Sequence, residues 1–197
     1  MTPLSRRPET EDRYSDLRDN LKRASHGSLK AVFGADHHQW RFLPPLSPSV
    51  VDDFERQQRV TLPTDYREFL VTVSAGGAGP AYGLLPLEMS MAVDGPGHDL
   101  AKEFPWTAAH NPHTGGPDPD DEIFNEQVAG TLALCHEGCG YYHRLVVSGP
   151  SRGTMWMDGR CSDQGFAPLN VDFPTWYRRW IDGVLAGGDG LWWMTRP

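Results

Sequence analysis

Residues 132–147, LALCHEGCGYYHRLVV, hold two cysteines and two histidines within nine positions. They form either a cluster of metal or thiol ligands or a strand–turn–strand that happens to use those residue types. The choice separates an enzyme from a protein that works through its surface. In a hairpin with its turn at residues 137–140, His136 pairs with Tyr141, Cys135 with Tyr142 and Leu134 with His143. Paired residues share a face of the sheet and successive residues alternate. Cys135 then points away from both histidines, and Cys139 sits in the turn. Zinc sites combine one closely spaced ligand pair with a second. Cys135 and Cys139 make a loose first pair that nothing completes. A hairpin is therefore expected, with cysteine used as a small buried apolar residue.

Downstream of Gly130 the whole pattern is β. The runs TLALCHE, YYHRLVVSG, GTMWMDG and GFAPLN are separated by glycine-containing turns. A closing helix, DFPTWYRRWIDGVLA, has Asp172 as its cap and Phe173, Tyr177, Trp180 and Val184 as its apolar stripe. Upstream, Tyr14, Leu17, Leu21 and Ala24 recur at helical spacing after a flexible N-terminus of residues 1–12. Ser47 caps a helix that starts at Pro48, with Val50, Val51 and Phe54 on its apolar side. Thr64 caps the next, with Asp65 at the positive end of its dipole and Tyr66, Phe69, Leu70 and Val73 facing inward. YGLLPLE predicts a short strand broken at Pro86, and residues 88–127 are irregular, with an exposed loop at HNPHTGGPDPDDE. Helices, consecutive strands and a closing helix define an α+β domain over residues 13–190, an antiparallel sheet with helices packed mainly on one face. The tail, residues 191–197, carries Trp192 and Trp193, which either dock on the fold or stay exposed as an anchor.

At 197 residues, with 39% hydrophobic residues and 22% charged, the chain suits one domain with a sizeable core. Its formal net charge of −8 lacks the basic face that phosphate binding needs, so no nucleic-acid partner is expected. No apolar run reaches the ~20 residues of a membrane span, the N-terminus has no secretory apolar core, and three cysteines make no disulfide framework. A cytoplasmic protein with no membrane partner is expected. No G-x-S-x-G elbow, P-loop, HExxH or dinucleotide fingerprint is present, and GGAGPAYG leads into a strand instead of a helix N-terminus. His98–Asp99, His110 and His113 lie among loop carboxylates, where solvated residues are expected over a metal site. No catalytic residue, metal or cofactor is expected. One surface feature remains: Asp118, Asp120, Asp121, Glu122 and Glu126 follow one another with no basic residue between them, and Phe124 sits inside the run. The run reads either as a solvating charge run or as a landing strip for a basic partner; on the second reading these six are the candidate contacts, with Phe124 as apolar anchor.

Residues 54–88, FERQQRVTLPTDYREFLVTVSAGGAGPAYGLLPLE, resemble the opening of the SUKH superfamily, the Smi/Knr-type domains. The resemblance rests on Leu62, Pro63, Tyr66, Phe69 and Leu70, a glycine-rich turn, and Gly83, Leu84, Leu85, Pro86 and Leu87. The second half is similar to the same family's Gly-x-Gly hairpin (Gly138, Gly140), Gly-x-x-Trp strand (Gly153, Trp156) and closing helix (Phe173, Trp176, Trp180). In order and spacing the match spans about residues 50–186. It implies an α+β fold without a catalytic site and, as in bacterial members, a non-enzymatic immunity protein that binds and neutralises a cognate polymorphic toxin, basic and nuclease-type given the acidic charge. The matched positions are mostly core, so no functional residue carries over. Two alternatives stand beside this: a small hydrolase using the loop histidines or Cys135 and Cys139, and an interaction scaffold without a toxin partner.

Overall fold

The structure, a computed structural model, describes residues 14–27, 32–107, 126–162 and 164–195. Its helices are α1 (Leu17–Gly27), α2 (Ala35–His38), α3 (Pro48–Gln58), α4 (Thr64–Thr72), α5 (Leu87–Ala92) and α6 (Phe173–Leu185). Its strands, β1 (Thr131–Gly138), β2 (Tyr141–Val146), β3 (Thr154–Asp158) and β4 (Phe166–Asp172), form one antiparallel sheet in the order β1-β2-β3-β4. The α+β architecture is the one expected, a chain-order meander with each strand paired to its sequence neighbour. The expected flexible segment, residues 1–12, lies outside the described residues.

Alternation along the strands gives the sheet two unlike faces. Leu132, Leu145, Met155 and Leu169 point to the helices, where they join Phe69, Leu70, Phe173, Tyr177 and Trp180 in the main core. The four positions Tyr14, Leu17, Leu21 and Ala24 are all buried there, Tyr14 in the turn that leads into α1. α1 is fastened to α6 by Arg178, which forks Asp16 at 2.8 and 2.9 Å. The opposite face carries a smaller cluster in which Phe104 packs edge-on to Trp156 and Phe166 at 5.1 and 5.6 Å. The irregular segment after α5 thus covers the second face of the sheet.

Local chemistry explains the element ends, with some corrections. Asp172 caps α6 by accepting the Thr175 N–H at 2.9 Å, and the Ser47 hydroxyl does the same for Val50 at α3. Val50 is 49% exposed, however, and Val51 is the residue of α3 that is fully buried. α4 begins one residue earlier than Thr64 would allow as a cap: Pro63, held extended, takes the cap position and Thr64 is the first helical residue. The strand expected at YGLLPLE is reduced to single bridges, because Pro86 has no N–H for a ladder and instead leads into α5. Phe42 bridges Gly77, Gly77 bridges Leu84, and Leu84 bridges Cys135, which extends the sheet past β1. Gly77 has φ +93°, and a Cβ there would lie 2.4 Å from the Arg41 carbonyl oxygen, so only glycine passes through this crossing.

His38 ends α2 against Trp40 and Trp180, with ring centroids at 5.4 and 6.0 Å. Its Nδ1 accepts the Trp40 backbone N–H at 3.0 Å, while its buried Nε2 has no hydrogen-bond partner among the described residues. Burial holds its pKa down to about 4, against the opposing pull of Asp36. In the unfolded chain a histidine takes its proton near ~6.5, whereas the native ring refuses it until about 4. The fold therefore keeps this contribution above ~6.5 and loses it as the pH falls from there towards 4. His98, also held down by burial, acts in the same direction. His38→Asn keeps an acceptor and does not titrate, so urea midpoints measured between about pH 7 and pH 4.5 should fall less steeply in the variant. Parallel curves for the two proteins would contradict this.

Candidate functional site

The hairpin turn is tighter than expected. Gly138 pairs with Tyr141, so the turn residues are Cys139 and Gly140, with φ of +50° and +84°. Two positive φ values in a two-residue loop are the mark of a type I′ turn, which suits the right-handed twist of the strands. The first pairs are in the expected register, Thr131 with Val146, Leu132 with Leu145 and Ala133 with Arg144. Irregularities between Ala133 and Cys135, and between His136 and Gly138, then shift it twice. Cys135 consequently pairs with His143 and shares its face, and His136 pairs with Tyr142, which corrects the expected alternation.

The second irregularity re-aims Glu137, as β-bulges do. Glu137 Oε1 lies 3.2 Å from Nε2 of the fully buried His143, off the angle of a true hydrogen bond. On its other side, His143 Nδ1 accepts the Trp176 indole N–H at 2.7 Å. Indole is a donor only, so Nδ1 carries no proton and Nε2 does. Trp193, buried at 5% exposure, packs edge-on to the same imidazole at 4.4 Å. This settles the alternatives for the tail: Trp193 docks, and Trp192 packs against the core with Arg179 over its ring at 4.8 Å.

Glu137 and Trp193 also line a pocket of about 550 Å³, walled further by Phe33, Tyr141, Met157 and Met194. Phe33 is 42% exposed and Met194 71%, so the mouth is apolar and open to solvent. Tyr141 donates to or accepts from Ser162, and Gln164 Nε2 donates to the Tyr141 hydroxyl at 3.2 Å. The site holds one negative charge, propped from behind by a Trp–His pair, against a wall of rings and thioethers.

A second buried polar cluster lies on the other face of the sheet. Arg144, 1% exposed in the middle of β2, forks Asp94 at 2.6 and 2.9 Å and donates its Nε to Asp158 at 2.7 Å. Arg160 donates twice more to Asp158, at 2.8 Å each. His98 contacts the Thr131 carbonyl oxygen at 2.8 Å and stands 3.8 Å from Asp94. Two guanidinium groups thus balance two carboxylates. Burial pushes Asp158 up, but the hydrogen bonds from Arg160 and the charge of Arg144 outweigh it and hold the carboxyl below its usual range.

Among the described residues, those singled out by sequence do not assemble. Cys135 is buried with its thiol on the Pro80 carbonyl oxygen at 3.0 Å, and burial pushes its pKa well up. Cys139 is exposed at the rim of the pocket. Asp99 accepts the Ala101 N–H at 2.9 Å and meets Arg59 at 3.4 Å. Among the described residues no group of three or more His, Cys, Asp and Glu could hold a metal ion. Asp118, Asp120, Asp121, Glu122 and Phe124, with His110 and His113, lie outside the described residues. Glu126 is described: it is exposed and meets Lys102 at 3.0 Å. Glu137 was legible only as a turn residue, since a bulge leaves no sequence mark. Arg144 had one signal, a charge interrupting an apolar strand.

Compared with family models, curated proteins and solved structures, the chain matches none. No helix among the described residues is long and apolar enough to cross a membrane.

Proposed function

We propose that this chain is a non-enzymatic binding protein and, more narrowly, a SUKH-type immunity protein that sequesters a basic, nuclease-type toxin in the cytoplasm of the cell that makes it. The observation that carries this is the ordered run of motif positions from Leu62 to Trp180 in a chain of net charge −8. In support, the motif positions serve the fold: Leu62, Tyr66, Phe69, Leu70, Trp156, Phe173, Trp176 and Trp180 are buried, and Gly83, Gly138, Gly140 and Gly153 hold positive φ. Such a scaffold leaves its surface free to vary with the partner. A negative surface steers a basic partner, raising association rates about 10- to 1,000-fold at low salt.

The test is rescue. Candidate basic nuclease-type toxin domains are expressed with and without the chain, and growth and complex formation are followed. Restored growth with a stoichiometric complex is the expected result; a toxin whose activity the purified chain leaves untouched overturns the proposal. Within it, reversing Asp118, Asp120 and Asp121 to Lys should slow association at low salt by about tenfold or more. An unchanged on-rate removes that segment from the interface.

A further inference from the structure

The pocket beside the hairpin turn contains an electrostatic mismatch. Glu137 is the one charged group among its described lining residues; its Oε1 is buried beside His143 Nε2 at 3.2 Å, off the angle of a hydrogen bond, and the rest of the carboxyl meets the pocket. Its side chain keeps 14% of its surface exposed. A carboxylate held against Phe33, Met157, Trp193 and Met194 is partly stripped of water, and no Lys or Arg stands among the described lining residues to compensate. The bulge that places it there and the Trp176–His143 pair behind it fix its position.

We propose that this pocket seats the guanidinium of an arginine side chain presented by the partner protein. This rests on the proposal that the chain binds a basic protein and names where one anchor enters. Guanidinium is planar and weakly hydrated, pairs with a carboxylate and stacks on aromatic faces, and Phe33, Tyr141 and Trp193 supply those faces beside Glu137. An ammonium group would carry strongly hydrated donors into a wall whose other polar groups, Tyr141 and Gln164, are bonded to each other and to Ser162. Thioethers of Met157 and Met194 adapt to the aliphatic stem. A volume of about 550 Å³ admits the whole side chain.

The test is an NMR titration of the full chain with N-acetyl-arginine amide, with the citrulline and lysine analogues as the uncharged and ammonium comparisons. The Trp193 indole N–H and the amides of Gly138 and Cys139 should shift with the arginine compound, and its affinity should fall about tenfold or more in Glu137→Gln. Phe33→Ala, at a partly exposed position, should bind several-fold more weakly while keeping the native NMR spectrum away from the pocket, which tests the pocket even if the Glu137 variant folds poorly. A response as strong to the citrulline or lysine analogue, or unmoved by both substitutions, overturns the proposal. So does full growth rescue and native complex affinity in Glu137→Gln, which leaves toxin binding standing and takes the pocket out of it. An arginine-specific titration alongside failed rescue by the native chain keeps the pocket and removes the immunity function.

Discussion

Replacing Arg144 with Met is expected to lower the free energy of unfolding by about 3–5 kcal/mol, the usual loss when one partner of a buried ion pair is removed. The reason lies in which charge is stranded. Asp158 retains two side-chain hydrogen bonds from Arg160, but Asp94 loses both of its close contacts from the guanidinium and, among the described residues, is left with His98 at 3.8 Å. The Asp94 side chain is 2% exposed and cannot turn to water without opening the segment that covers the sheet. The loss should therefore shrink when the stranded charge is also removed: Arg144→Met with Asp94→Asn should recover about 1 kcal/mol or more. Urea unfolding of the two single variants and the double variant measures this directly. Additive losses would show that the two groups do not depend on each other. Asp158 adds a pH signature. Its carboxyl titrates near ~3.9 in the unfolded chain and lower in the fold. Its stabilisation is complete above the unfolded value and drains away as the pH falls towards the folded one.

The same cluster shows why some of the molecule was legible in the sequence and some was not. The helices and strands were legible because burial imposes a period: Tyr66, Phe69 and Leu70 or Phe173, Tyr177 and Trp180 fall on one side of a helix wherever the chain goes next. Caps at Ser47 and Asp172 were legible because their chemistry is local. The hairpin was legible as far as Ala133–Arg144. Beyond that pair, two bulges overrode the alternation, and a bulge depends on what the neighbouring backbone needs, here the bridge from Leu84 to Cys135. Asp94, Arg144 and Asp158 are up to 64 positions apart in sequence, and only the crossover of the segment after α5 brings them together. The pocket was hidden for the same reason, since it joins the hairpin turn to a tail whose docking the sequence left open.

Trp180→Ala should be as damaging as the loss of Arg144, at about 3–5 kcal/mol, by a different route. Trp180 is fully buried on α6, edge-on to Tyr177 at 5.2 Å and stacked on Trp40 at 6.1 Å. The chain is also closed over it, since a Cβ on Gly190 would stand 2.5 Å from Trp180 Cδ1. Truncation to Ala leaves a void between segments that the backbone holds apart, so collapse recovers little of the lost contact. Trp180→Phe separates shape from polarity. The indole N–H has no hydrogen-bond partner among the described residues, so Phe removes an unsatisfied donor along with part of the ring. It should cost less than half as much as Ala in the same urea series; equal losses would mean that the N–H is satisfied. His38 supplies a second readout. Trp180 is one of the two rings that bury it, and burial is what keeps its proton away. With Ala at position 180 its pKa should climb from about 4 towards the ordinary histidine range. The acid-side slope of stability should then flatten even as the midpoint itself falls, which a loss of packing elsewhere on α6 would not produce.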